Sequence, residues 1–207
     1  VGLSWERLQV TLAGYLTHLS DDVAFDAREG RLERLGASRR VGGVLAMTTR
    51  PIDWLLASLS LTVVDAVLLE PPPPTADDPQ PPFVDGQSLP YVPPVVGRVD
   101  IGAKHALVSA LGGETLRGRI GTGLSYLSPR PLPFGDTAAP VALLDAGAAI
   151  GWGPLEIGVD VFNMLDVEYA ASVFNFPSDW NPDPHRADSR RKPPARSWRS
   201  VPARSRY

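Results

Sequence analysis

The chain has 207 residues, no Cys, and 20 Lys/Arg against 23 Asp/Glu for a net charge of -3. That length suits one domain of ordinary size. The absence of Cys excludes a disulfide framework and any thiolate metal site, and so mild a charge gives no footprint for nucleic acid. No run of eighteen uncharged apolar residues occurs, which excludes a conventional transmembrane helix, whereas a membrane-crossing β-strand needs only about 9–11 residues.

Proline sets the punctuation. Ten of the 22 prolines fall between Pro71 and Pro94, and others cluster at Pro129 to Pro140 and from Pro177 onward. Proline cannot donate to a ladder and is driven into turns and edges. Between the clusters lie stretches of strand length that alternate with period two. In chain order these are Leu8–Thr17, Val41–Thr49, Leu55–Val63, Val99–Leu107, Leu116–Tyr126, Ala142–Trp152 and Leu155–Phe162. Seven half-buried strands are therefore expected, with no helical period of comparable strength.

The connections alternate in length. A polar link "SDDVAFDAREGRLERLGASRR" is long, although part of it can simply extend the flanking strands, "RPIDW" is tight, Glu70–Gly97 is long, "ALGGET" is tight, "SPRPLPFGDTAAP" is long and "GWGP" is tight. The segment after Leu165 is long again. In an up-and-down meander this puts all tight turns at one end. Short turns on one side and long loops on the other are the pattern of outer-membrane β-barrels. The fold class expected is all-β, an antiparallel up-and-down meander forming a partial transmembrane β-barrel with short periplasmic turns and long extracellular loops. On that reading Asp100, Lys104, Arg117, Arg119, Asp145, Glu156 and Asp160 face a wet lumen. The Leu/Ile/Val/Ala faces meet lipid, and Trp54, Tyr126 and Trp152 sit at strand ends, where interfacial aromatics belong.

Chemistry-bearing groups are sparse. His18, His105 and His185 are isolated from other metal-ligand types. "GRIGTG" (Gly118–Gly123) lacks the Lys-Ser/Thr of a phosphate loop and falls within an expected strand. Nothing matches a nucleophile elbow. Glu156 and Asp160 could be an acid–base or cation-binding pair, but a wetted wall explains them more simply. "EPPPPTADDPQPPF" reads as a stiff exposed loop rather than a polyproline ligand. No enzyme activity and no cofactor are expected.

"GVDVFNMLDVEYA" resembles the penultimate-strand motif of TonB-dependent outer-membrane receptors, with Asn163, Asp166 and Tyr169 at the matching positions. "LAGYLTHLSDDVAFD", "GRLERLGASRRVGGV" and "LPYVPPVVGRVDIGAK" are similar to the barrel strands and hairpins of the same family, and the likeness runs over most of residues 3–176. The resemblance implies a large plugged barrel, of which this chain would be the C-terminal part without its plug. It also implies a bacterial outer-membrane location and import of an iron–siderophore or similar scarce ligand. The partners implied are outer-membrane lipid and, through the plug, the TonB energy-coupling complex. Asn163 and Asp166 suit a strand-ending turn, since Asn and Asp side chains bond nearby backbone.

The chain starts at Val1 without an initiator Met, which suggests processing or a piece of something longer. Its end departs from the family. Residues 1–184 read as barrel. Residues 185–207 carry eight Lys/Arg and one Asp, with prolines where a last strand should alternate. This tail is expected to be aberrant and disordered, as if translation had left an ancestral frame near Pro184. The rival expectations are a complete small outer-membrane barrel with a structural or adhesive role, a soluble all-β binding module and, more remotely, a hydrolase.

Overall fold

The computed structural model describes residues 1–26, 31–71, 84–109, 115–170 and 173. Among them the chain is almost wholly β: β1 (Gly2–Trp5), β2 (Leu8–Asp26), β3 (Arg31–Ile52), β4 (Leu55–Glu70), β5 (Val95–Ser109), β6 (Thr115–Leu127), β7 (Arg130–Pro131), β8 (Thr137–Ala138), β9 (Val141–Trp152) and β10 (Leu155–Val161). One short 3-10 turn, Pro133–Gly135, is the sole helical element among the described residues. Eight strands form one sheet in the order β1-β2-β3-β4-β5-β6-β9-β10, every neighbour antiparallel, while β7 and β8 pair separately. No ladder joins β1 to β10 among the described residues, so these two are the edges.

The expected meander is present, with one correction, and one of its long links does extend the flanking strands. The sheet has eight strands rather than seven, because Gly2–Trp5 pairs with Leu8–Thr11; four residues before the first expected strand are too few to show a period. The long link after Thr17 is largely strand. β2 runs on to Asp26 and β3 starts at Arg31, paired from Asp26↔Arg31 downward. Its polar sequence hid the strands, since alternation fails where neither face is apolar. The tail 185–207, most of the expected tight connection "ALGGET" (110–114) and most of the expected stiff loop "EPPPPTADDPQPPF" (72–83) lie outside the described residues.

Tall hairpins need local adjustments. Between Leu19 and Val23 the β2–β3 register slips twice, and this β-bulge brings Asp22 onto the face that carries Ser38 and Arg40. The Asp22 carboxylate accepts from Ser38 Oγ and Arg40 Nη2, both at 2.6 Å. A buried carboxylate is tolerable only with such partners. Opposite Asp22 stands Gly36 at φ 75°, where a Cβ would strike the Glu70 carbonyl. Lower down, the Tyr15 ring lies over Gly42, its direct cross-strand partner, so an aromatic covers the bare glycine of a central strand.

Few side chains are buried. Leu35, Ala66, Leu68 and Leu89 form an apolar cluster, flanked by Val64 and Val92. It is made by the β4–β5 connection, which folds back as an improvised strand: Leu68 N donates to Gln87 O, Gly86 N to Leu68 O and Leu89 N to Ala66 O. Tyr91 N then donates to Pro131 O, tying this connection to the β6–β9 one.

Gly42→Val should lower the unfolding free energy by about 1–3 kcal/mol by overpacking against the Tyr15 ring and the Val63 carbonyl. Part of the loss should return when Tyr15 is also Ala. Urea melts followed by circular dichroism in detergent measure both, and an unchanged midpoint for Gly42→Val would contradict the packing described.

Candidate functional site

In an antiparallel ladder directly opposed residues share a face, so the register assigns every side chain. Lys104 opposes Arg119 and Asp100 opposes Gly123. Arg117 opposes Gly151 and Gly123 opposes Asp145. Glu156 opposes Gly151 and Asp160 opposes Gly147. All seven sequence-derived candidates, Asp100, Lys104, Arg117, Arg119, Asp145, Glu156 and Asp160, therefore lie on one face of the sheet. Gln9, Thr11, Thr48, Ser58, Ser60 and Thr62 extend that face across β2, β3 and β4.

The opposite face is apolar on every strand. It runs through Leu12 and Leu16 on β2, Leu45 on β3, Leu59 and Leu61 on β4, and Val99 and Ile101 on β5. It continues through Ile120 and Leu124 on β6, Leu144 and Ile150 on β9, and Ile157 and Val159 on β10. Many of these are open to the surroundings: Leu16 is 71% exposed, Ile120 64% and Ile157 79%. Arg39 and Asp65 form an ion pair of 3.9 Å on this face at the loop end, and His105 stands at the turn end. No charged residue separates them on the register-assigned positions of this face. Trp5 and Trp152 close its turn end, and Tyr126 its loop end.

On the polar face the charges are organised about Arg98. Its Nε donates to both Asp100 oxygens at 2.9 and 3.0 Å, its Nη1 donates to Ser125 Oγ at 2.7 Å, and Nη1 lies 3.4 Å from Asp145 Oδ2. A planar guanidinium can serve several acceptors at once in this fork geometry. Gly123 has no side chain and so leaves room for the Arg98–Asp100 pair above it. A second ion pair joins Arg119 to Glu156, with Nε and Nη2 donating to Oε1 at 3.1 and 2.8 Å. Lys104, Arg117 and Asp160 make no ion pair among the described residues.

Asp145 has a second task. Its Oδ1 accepts from Asn163 N at 2.9 Å. The Asn163 side chain then closes the turn on itself: Nδ2 donates to Val167 O at 3.1 Å and Oδ1 accepts from Val167 N at 3.0 Å. Asn163 and Asp166 both have positive φ, 51° and 49°, which Asn and Asp tolerate better than most residues. Asp166 contributes its backbone, with N donating to Asn163 O at 2.9 Å. Tyr169 follows, lining a cavity of about 410 Å³ with Ser60, Thr62, Arg98, Ser125 and Arg130.

Sequence reasoning missed Arg98, the hub of this network, by starting the strand at Val99. The signal was present: Arg98 continues the alternation Asp100, Gly102, Lys104 by one step. Asp22, Ser38 and Arg40 were missed because a bulge, invisible in the period, brings them together. Glu156 and Asp160 do not converge. They lie four residues apart on one extended strand, about 13 Å, beyond the usual range for a paired acid and base acting on a glycosidic bond. Among the described residues no three His, Asp or Glu side chains gather as a metal site.

Asn163→Ala should open the 163–167 turn, removing two hydrogen bonds and placing Ala at positive φ. Its Val167 amide should exchange with solvent at least about tenfold faster, equivalent to about 1.4 kcal/mol or more. Asp166→Gly, which suits φ 49°, should leave that rate nearly unchanged. Equal exchange in wild type and Asn163→Ala would refute the assignment.

No protein-family model, no curated protein and no solved structure matches this chain.

Proposed function

We propose that the chain is wall from the C-terminal part of an outer-membrane β-barrel of the TonB-dependent receptor kind. Its role there is structural support for energised import of a scarce ligand such as an iron–siderophore. The observation that carries the reading is the apolar band spanning all eight strands, free of charged residues between the Arg39–Asp65 pair and His105, backed by a face of charges, hydroxyls and glycines. Burying one large apolar side chain is worth about 1.5–3 kcal/mol, so leaving this face in water would forgo on the order of tens of kcal/mol, more than a domain's whole net stability. A hydrocarbon medium removes that conflict. The run Leu55–Val63 on β4, bounded by Asp65, has the nine residues that suffice for a tilted membrane-crossing strand.

The other features fit this reading. Trp5 and Trp152 at one end and Tyr126 at the other suit the two aromatic girdles of such barrels. The polar face becomes the lumen wall, and the Glu70–Gly97 and Ser128–Pro140 connections become outer loops that gate or recognise ligand. The Asn163 turn supplies a physical reason for the "FNMLDVEY" motif: it ends the penultimate strand beneath the last loop. The work assigned is binding and passage, with no bond-making chemistry and no cofactor. The intact receptor would contact outer-membrane lipid and, through its plug, the TonB energy-coupling complex.

The native chain has no Cys, so single cysteines report position cleanly. Ile120→Cys, Ile150→Cys and Val159→Cys, labelled with a bimane and reconstituted in vesicles, should be quenched by brominated lipid tails. Ser58→Cys and Thr48→Cys should be quenched by aqueous iodide instead. The opposite pattern, or a monodisperse monomer without detergent, would sink the membrane reading in favour of a soluble module.

With β1 and β10 as open edges, the chain alone should aggregate in water and show no heat-modifiable gel shift in detergent. A clear shift, the mark of a closed barrel, would favour the complete small barrel instead.

A further inference from the structure

The polar face contains a recess that the proposed function leaves unused. From the loop end to the turn end, the register across β4, β5, β6 and β9 gives a row Ser58, Asp100, Gly123, Asp145, and then a row Leu56, Gly102, Gly121, Gly147. The next row is Lys104, Arg119, Ala149 across β5, β6 and β9. The middle row carries three successive glycines. Asp160 lies over Gly147, but at Gly102 and Gly121 an added Cβ would meet only neighbouring backbone, at 3.7 Å and 3.4 Å. Two bare glycines therefore floor a cavity of about 460 Å³, lined also by Leu56, Phe162, Lys104 and Arg119, with Asp100, Asp145 and Asp160 among its acidic lining.

The cavity as a whole carries both signs, but at its turn-end wall, away from the row of Asp100 and Asp145, the cations outnumber their partners. Lys104 and Arg119 are direct cross-strand partners of the same sign, an arrangement that is destabilising by itself. Glu156 answers Arg119 alone, through Nε and Nη2. Arg119 Nη1 and the Lys104 ammonium have no acceptor among the described residues. A carboxylate placed between them would accept from both and remove the repulsion, and charge-assisted bonds of this kind are the stronger ones. The glycine floor favours a flat body, because a ring can lie against bare peptide planes where any side chain would hold it off. Leu56 and Phe162 offer apolar edges to such a ring.

We propose that this recess binds a small planar carboxylate, with its oxyanion between Lys104 and Arg119 and its flat body on Gly102 and Gly121. The site stands on the polar face alone and does not depend on what medium the apolar face meets.

The probe is 2-naphthoate, a planar monocarboxylate, titrated by calorimetry into the full chain refolded in an uncharged maltoside detergent at low salt, with far-ultraviolet circular dichroism checking the β-sheet. Saturable binding at one site is expected. Lys104→Gln should weaken it by about tenfold or more, and Gly121→Val by a similar factor through filling the floor. Arg117→Gln, a neighbouring cation that does not line the cavity, should change affinity by less than about twofold. If Gly121→Val loses the sheet signal, Gly102→Val makes the same test from the adjacent strand.

Absence of saturable binding overturns the proposal. So does equal weakening by all three charge and floor variants, which means diffuse attraction, or retained affinity in the floor variant, which means an adventitious additive only. Lipid quenching of the apolar face is read separately, so failure of the membrane reading and failure of this site cannot be confused.

Discussion

A β-strand shows alternate residues to opposite sides, and each strand added to a sheet must keep that choice in register. In this chain the choice is kept through seven successive pairings. The same side stays apolar from Leu12 to Val159 and the other stays polar from Gln9 to Asp160. A slip of one residue in a ladder of β5 or β9 would move Arg98 or Asp145 among the leucines. The two-faced sheet is thus both the architecture and the constraint that fixes it, because each ladder is locked by the mismatch that a slip would create.

The polar side is held by a few multivalent groups rather than by packing. Arg98, held by Asp100 on its own strand, links β5 to β6 through Ser125 and to β9 through Asp145, and Asp145 passes the connection to the backbone of Asn163 beyond β10. Arg119 and Glu156 tie β6 to the edge strand. These pairs are partly solvated, with side chains 43–45% exposed for Arg98 and Asp100, so each contributes modestly to stability. Their greater effect is positional, since a slipped register would separate the partners. Glycines make the arrangement possible: the Arg98–Asp100 pair lies over Gly123 and Asp160 over Gly147.

The loop end follows different rules. There the strands outgrow the apolar face and both sides become polar, so stability must come from local devices. The Asp22 bulge, the positive-φ Gly36 and the folded-back 84–92 segment supply it, gathering Leu35, Ala66, Leu68 and Leu89 into the largest buried cluster among the described residues. Proline assists by forbidding regular strand through Pro90, Pro93 and Pro94, which leaves the backbone of 86–89 to pair with β4. Under the proposed function this end carries the outer loops, where a rigid base beneath long connections suits recognition.

The sequence by itself determined the strands that have one apolar face, the face on which each of Asp100, Lys104, Arg117, Arg119, Asp145, Glu156 and Asp160 falls, and the tight turns at 53–54 and 153–154. All follow from a period of two and from proline and glycine placement, which are local properties. Only the tertiary structure decided which of those charges meet. Arg119 reaches Glu156 across 37 residues, Arg98 reaches Asp145 across 47, and Lys104 is left facing Arg119, because ladder register depends on strands distant in sequence. The same holds for the extended hairpin of β2 and β3, where neither face is apolar and pairing with a neighbour, not periodicity, keeps the backbone extended. The glycine row is the clearest case. Gly102, Gly121 and Gly147 are unremarked singly in the sequence, and become a floor only when three ladders bring them side by side.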